Sequence, residues 1–234
     1  MNELSHKNEV EKGKEKVTNK VEPKEDLTNS LFYGIFYIMQ FAFIISIISA
    51  FVVKDSRLRG IFLMESVVTG VSSFMYYLFI QNINKGVVNF QNVSRLRYRG
   101  WSITTPIMLI VLTIVLGMNT KTTVTNSMLL KIVGLDYVML ALGYLGEINM
   151  LDRITAMILG FLPFFAIFYI LYYAFIKGKH NTFNALLYWV YFIIWSIYGI
   201  AYIFDERIKN VITNILDCIA KAFVALGIAY KYIL

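Results

Sequence analysis

The sequence predicts an all-α membrane protein, a bundle of seven transmembrane helices formed by one 234-residue chain. Three observations carry this. Hydrophobic residues make up 58% of the chain and charged ones 16%, and the apolar residues gather in runs of about 20, the length a helix needs to cross about 30 Å of hydrocarbon. The runs are apolar on all faces, whereas helices of a water-soluble domain carry an amphipathic stripe. The stretches between them are short and polar, and they hold most of the Lys and Arg behind the net charge of +7. That charge therefore reports topology and does not imply a nucleic-acid partner.

Taken in order, residues 1–28 are Lys/Glu-rich, have no apolar periodicity and lack the apolar core of a signal peptide. They are expected to form a disordered polar tail ahead of a seven-helix domain over residues 29–234. The seven apolar segments run over about 31–53, 60–81, 97–117, 128–146, 154–176, 183–204 and 211–233. The connections KDSRLRG, NTKTTVTNS and KGKHN are basic, whereas GEINMLDR is acidic and DERIKN balanced. Basic connections face the cytoplasm, so the N-terminus is expected outside and the C-terminus inside. Lys85, Arg95, Arg97 and Arg99 fall on the outer side and count against this orientation; Asn92-Val93-Ser94 forms a glycosylation sequon on the same side. The one cysteine, Cys218, sits inside the last segment and reads as a packing residue.

The seventh segment contains an expense. Lys221 lies near its middle, where a four-carbon stem does not reach either interface, and Asp217 lies one helical turn earlier on the same face. A buried amine is a nucleophile able to condense with an aldehyde, and the cation so formed needs an anion beside it. The pair therefore reads as a Schiff-base lysine with its counterion, or as a plain buried salt bridge. In the third segment, RYRGWSITTPIML places Arg97 and Trp101 on one face, offers the hydroxyls of Thr104 and Thr105, and contains Pro106, whose freed carbonyl a neighbour can satisfy. In the sixth, WSIY puts Trp195 and Tyr198 on one face.

Together RYRGWSITTP, LDYVMLALGYLGE, WSIY and LDCIAK resemble the type I microbial rhodopsins, in order and over about residues 31–234. The resemblance implies that Lys221 binds all-trans retinal and that Asp217 is its counterion. It further implies a pocket in which Trp101 and Trp195 sandwich the polyene, Tyr198 and Tyr76 hydrogen-bond toward Asp217, Met139 and Gly143 lie by the ring, and Met108 tunes colour. Thr104 and Thr105 belong to the same pocket, Thr105 facing Asp136, and Arg97 lies below the Schiff base on the extracellular side. A lipid bilayer, a transported ion and a homo-oligomer, trimeric or pentameric, are the implied partners. No metal is expected.

The chain departs from the family where function is decided. Outward proton pumps carry a carboxylate just before the helix-three tryptophan, and here that position is Gly100; the usual cytoplasmic donor position is Val111. Glu65, near the cytoplasmic end of the second segment, is then either a half-exposed interfacial group or a donor or gate on an ion or proton pathway shared with Arg97 and Asp136. A helix-two glutamate is similar to that of a pentameric subset encoded by giant viruses. The short connection DERIKN shows no paired-glutamate release group. The leading expectation is a light-gated ion channel, the alternatives a light-driven outward proton pump with Asp217 as acceptor and Glu65 as donor, or a sensory rhodopsin. No metal-ligand cluster, nucleophile elbow or phosphate loop suggests an enzyme, and His6 and His180 are peripheral.

Overall fold

A computed structural model describes residues 23–84 and 89–233. Its seven helices are α1 (Pro23–Val52), α2 (Ser56–Ile83), α3 (Phe90–Thr120), α4 (Asn126–Glu147), α5 (Arg153–Phe175), α6 (Thr182–Ala201) and α7 (Glu206–Ile233). All seven are long and apolar enough to span a bilayer, and there is no strand among the described residues. The tail expected over residues 1–28 lies outside the described residues up to Pro23, where α1 begins. Lys85 lies outside them as well.

The connections are polar because they cap helices. Asp55, Asn89, Thr125, Asp152, Asn181 and Asp205 each accept a hydrogen bond from a backbone N–H in the first turn of α2 to α7. The sequon residue Asn92 is in the first turn of α3, bonded through its N–H to Asn89. Pro106 leaves the Ser102 carbonyl without its helical donor, and the Tyr137 hydroxyl of α4 takes that oxygen at 3.1 Å. In α7 the segment Cys218–Phe223 is π-helical, and Lys221 sits within it.

Consecutive helices pack side by side, and α7 returns to α1 and α2, closing the ring. The third helix runs through its middle, touching α5, α6 and α7 as well as its neighbours. Polarity is inverted relative to a soluble domain. Phe41, Phe51, Leu130, Phe165, Tyr169 and Leu186 face outward, while Glu65, Arg97, Asp136, Glu147, Asp217 and Lys221 are buried. An apolar exterior of this kind is stable in lipid.

The two ends of the bundle differ. Toward the end that carries the α1–α2, α3–α4 and α5–α6 connections, Val111, Leu112, Leu116, Phe168, Leu171, Phe175 and Ile228 fill the interior with buried apolar side chains. There a neutral chain of hydrogen bonds joins three helices: Tyr232 Oη donates to Asn119 Oδ1 (2.7 Å), Asn119 Nδ2 to Asn184 Oδ1 (2.7 Å), and Asn184 Nδ2 to the Leu116 carbonyl (2.9 Å). Toward the other end Phe32, Met75, Phe79, Ile80 and Val93 pack an apolar cluster between α1, α2 and α3, while a cavity with polar groups at its outer end lies between α3, α4, α5, α6 and α7.

Candidate functional site

Four side chains, one each from α2, α3, α6 and α7, converge on Asp217. Its Oδ1 accepts from Lys221 Nζ at 2.5 Å and from Tyr198 Oη at 2.7 Å. Its Oδ2 accepts from Arg97 Nη1 at 3.0 Å, and the Tyr76 hydroxyl stands 3.1 Å from this oxygen and from Asn214 Oδ1, free to donate to either. The guanidinium of Arg97 also donates through Nε to Asn210 Oδ1 (3.1 Å) and through Nη2 to Asn214. Its carbon lies 4.7 Å from the Phe79 ring centre and 5.6 Å from that of Tyr76. Asp217 is 2% exposed and Lys221 5%, so bulk solvent does not reach these charges and the surrounding donors offset them.

From Lys221 and Asp217 a cavity of about 140 Å³ extends between α3, α4, α5, α6 and α7. Trp101, Thr105, Met108, Met139, Gly143, Phe161, Phe164, Trp195 and Tyr198 form its wall with Arg97 beside Asp217, and Ser94, Glu147 and Lys209 line its outer end. The ring of Trp101 stands nearly perpendicular to that of Tyr198, with centres 5.7 Å apart. Arg97, Trp101, Thr105 and Met108 reach the wall because they recur at helical spacing along one stripe of α3. Two cavity-lining glycines mark close approaches. A Cβ on Gly143 would lie 2.6 Å from the Tyr98 hydroxyl, and one on Gly199 would lie 2.5 Å from the Phe161 ring.

Most residues singled out from the sequence meet here, but not all. Tyr76 stands behind Asp217 rather than in the wall, because α2 reaches α7 from the side of α1, among Phe32 and Phe79. Thr104 is also outside the wall; it lies one turn from Gly100, on a neighbouring side of α3, and its buried hydroxyl has no hydrogen-bond partner. A Cβ on Gly100 would lie 2.8 Å from Met75 Cγ, so Met75 of α2 fills the space beside it. Thr105 Oγ1 donates to Asp136 Oδ2 at 2.7 Å, which joins α3 to α4. Glu65 is 1% exposed, which removes the half-exposed interfacial alternative; its Oε1 has no partner and it is not in the cavity wall. Arg99 is exposed and away from the cavity.

Sequence reasoning passed over one cluster. DERIKN holds no glutamate pair of its own, yet Glu206 comes within reach of Glu147 from α4, with Lys209 and Arg153 between them. The acidic GEINMLDR opposite a charge-balanced connection was the available signal.

The profile of the bacteriorhodopsin-like proteins matches residues 26–233. A green-light absorbing proteorhodopsin of Gamma-proteobacterium EBAC31A08 is 25% identical over 189 residues, covering 76% of this chain and 74% of the relative. The crystal structure of the viral rhodopsin OLPVRII superposes with a TM-score of 0.82 at 33% identity, over 88% of this chain and 97% of that one. The proton pumping rhodopsin AR2 of the marine alga Acetabularia acetabulum shares the fold, with a TM-score of 0.72 at 21% identity over 90% of this chain and 96% of that one. A seven-helix bundle, a buried lysine and carboxylate in α7 and these matches lead to one conclusion: the chain belongs to the bacteriorhodopsin-like family, the type I microbial rhodopsins, a family of retinal-binding membrane photoreceptors.

Proposed function

We propose that this rhodopsin is a light-gated ion channel in which Lys221 carries retinal and Asp217 is the counterion. Retinal bound to Lys221 as an imine supplies the absorption of visible light and an isomerisation that changes its shape. The wall suits a rigid apolar polyene: aromatic and Met side chains line it, and it ends on the Lys221 amine, with a carboxylate 2.5 Å from that amine. Trp101 and Trp195 restrict the polyene between α3 and α6, Gly143 leaves room beside Tyr98, and Thr105 with Asp136 ties α3 to α4.

The observation that favours a channel over a pump is the state of Asp217. Both its oxygens are engaged by donors, Lys221 and Tyr198 on one, Arg97 and Tyr76 on the other. A proton arriving there has to displace a donor. No second carboxylate stands at Gly100, and Val111 is buried among apolar residues. A pump needs an acceptor and a donor in relay; a channel needs only that helix packing have two arrangements which light biases. The polar outer end of the cavity supplies the start of a path, on the side that the basic connections place outside the cell.

One observation favours the pump reading with Glu65 as donor: its buried Oε1 without a partner in the apolar half. Voltage-clamp photocurrents with ions exchanged on each side decide between the two. A current that reverses with voltage is expected; one that keeps its direction at every voltage and slows in Glu65→Gln would establish the pump instead. Replacing Lys221 by Ala abolishes the visible band of the retinal-reconstituted protein, and a retained band would sink both readings.

A further inference from the structure

The polar half of the cavity ends on a charged cluster that the pocket chemistry does not use. Lys209 Nζ donates to Glu147 Oε2 at 2.8 Å and to Glu206 Oε1 at 2.9 Å. Arg153 pairs with Glu206 and lies 3.9 Å from Glu147 Oε1, and Ser94 Oγ donates to Glu206 Oε2 at 2.8 Å. These residues come from α3, α4, α5 and α7. The Tyr202 ring, just beyond α6, lies 5.6 Å from Lys209 Nζ, and its hydroxyl bonds the Gly143 carbonyl.

Three features single the cluster out. It is neutral, two acids against two bases. Its inner members are sealed, Glu147 being 0% and Lys209 6% exposed, while Arg153 and Glu206 form a half-exposed rim. And Ser94, Glu147 and Lys209 line the same cavity as Asp217 and Lys221, so the cluster runs from that cavity to the partly exposed Arg153 and Glu206. Glu147 Oε1, buried without a hydrogen-bond partner, marks the place where the closure is least complete.

We propose that Glu147, Lys209, Glu206 and Arg153 form the outer gate of the chromophore cavity, an ion-pair plug that excludes water and small solutes at rest and parts to admit them. This rests on the placement of retinal at Lys221. Ion pairs suit the task better than an apolar seal. Once separated at a membrane surface each charge is hydrated again, so the open state is not heavily penalised, whereas an apolar plug resists wetting. Because the pairs tie α4 and α5 to α7, a shift of α7 at Lys221 pulls directly on Lys209 and Glu206.

Hydroxylamine, a small water-soluble nucleophile that releases retinal from lysine as an oxime, reports access to Lys221 in the dark. The isosteric neutral pair Glu147→Gln with Lys209→Met is expected to bleach about tenfold faster than wild type, since a local opening that admits solvent sets the rate. The exchanged pair Glu147→Lys with Lys209→Glu restores slow bleaching. In parallel, Thr213→Cys, in the wall beside Asp217, is labelled by a charged thiol reagent in a Cys218→Ala background, with the same ranking. Equal bleaching and equal labelling in all variants would overturn the gate. Should the neutral pair fail to form pigment, Arg153→Gln on the rim decides on the same terms. A coloured protein without photocurrent overturns the channel and leaves the gate to be judged by access; a colourless wild type overturns the retinal placement, and thiol labelling alone then decides.

Discussion

On the proposed reading Asp217 serves Lys221 alone, because Gly100 leaves the site with one carboxylate where relatives of the pump type have two. Replacing Asp217 by Asn should displace or abolish the visible band, and Asp136→Asn, at a side chain hydrogen-bonded to Thr105 and not to Lys221, should move it far less. Equal small shifts, read by absorption spectroscopy, would mean that some other group neutralises Lys221. Restoring a carboxylate at Gly100 is blocked by packing. A Cβ there meets Met75 Cγ, close to the α2 backbone and not at the flexible end of the side chain, so Gly100→Asp alone is expected to cost about 1–3 kcal/mol by overpacking. Combined with Met75→Ala it should recover stability in thermal bleaching and shift the band. The glycine is legible in the sequence; the methionine filling its place is not, since that contact joins residues of two helices.

Helix ends and interruptions are where local chemistry can be tested one element at a time. Asp55 caps α2 and Asp152 caps α5, and each carboxyl is held below its ordinary range, Asp55 by the N–H groups of Leu58 and Arg57 and Asp152 by that of Thr155. A depressed value in the folded state means that the cap contributes above the unfolded value of about 3.9 and is lost as pH falls through the folded one. Asn in place of Asp55 keeps the cap and should flatten the acid limb of thermal stability; an unchanged limb would mean that α2 does not depend on this cap. Tyr137→Phe removes the donor that the Ser102 carbonyl uses above Pro106, and should cost about 1 kcal/mol. Pro106 and the need for some donor were readable from RYRGWSITTPIML, but which helix supplies it was not. Likewise hydropathy placed the third segment at 97–117, whereas α3 begins at Phe90: its first two turns are polar because they pair with α7 through Ser94, Asn210 and Glu206.

For the molecule as a whole, the proposed orientation makes a simple prediction: an epitope placed ahead of Pro23 is bound by antibody on intact cells, and one after Ile233 only on permeabilised cells. The reverse result would put the polar half of the cavity on the cytoplasmic side. Seven helices, their order and the α7 pair could be read from hydropathy, helical spacing and motif because each is local in the chain. The outer cluster could not, for Lys209 and Glu147 are 62 positions apart and only the closed ring of helices brings them together. The same is true of the π-helical turn at Lys221, which no residue type announces.

The chain of Asn119, Asn184 and Tyr232 carries no charge, and neither salt nor mild acid has a handle on it. At the opposite end Arg153 and Glu206 meet at a half-exposed rim where counterions at about 1 M shorten electrostatic reach to about 3 Å. The closure at one end of the bundle is therefore sensitive to the ionic composition of its surroundings and the hydrogen-bonded closure at the other is not, so the rate at which the dark pigment admits solvent should follow the salinity of one compartment alone.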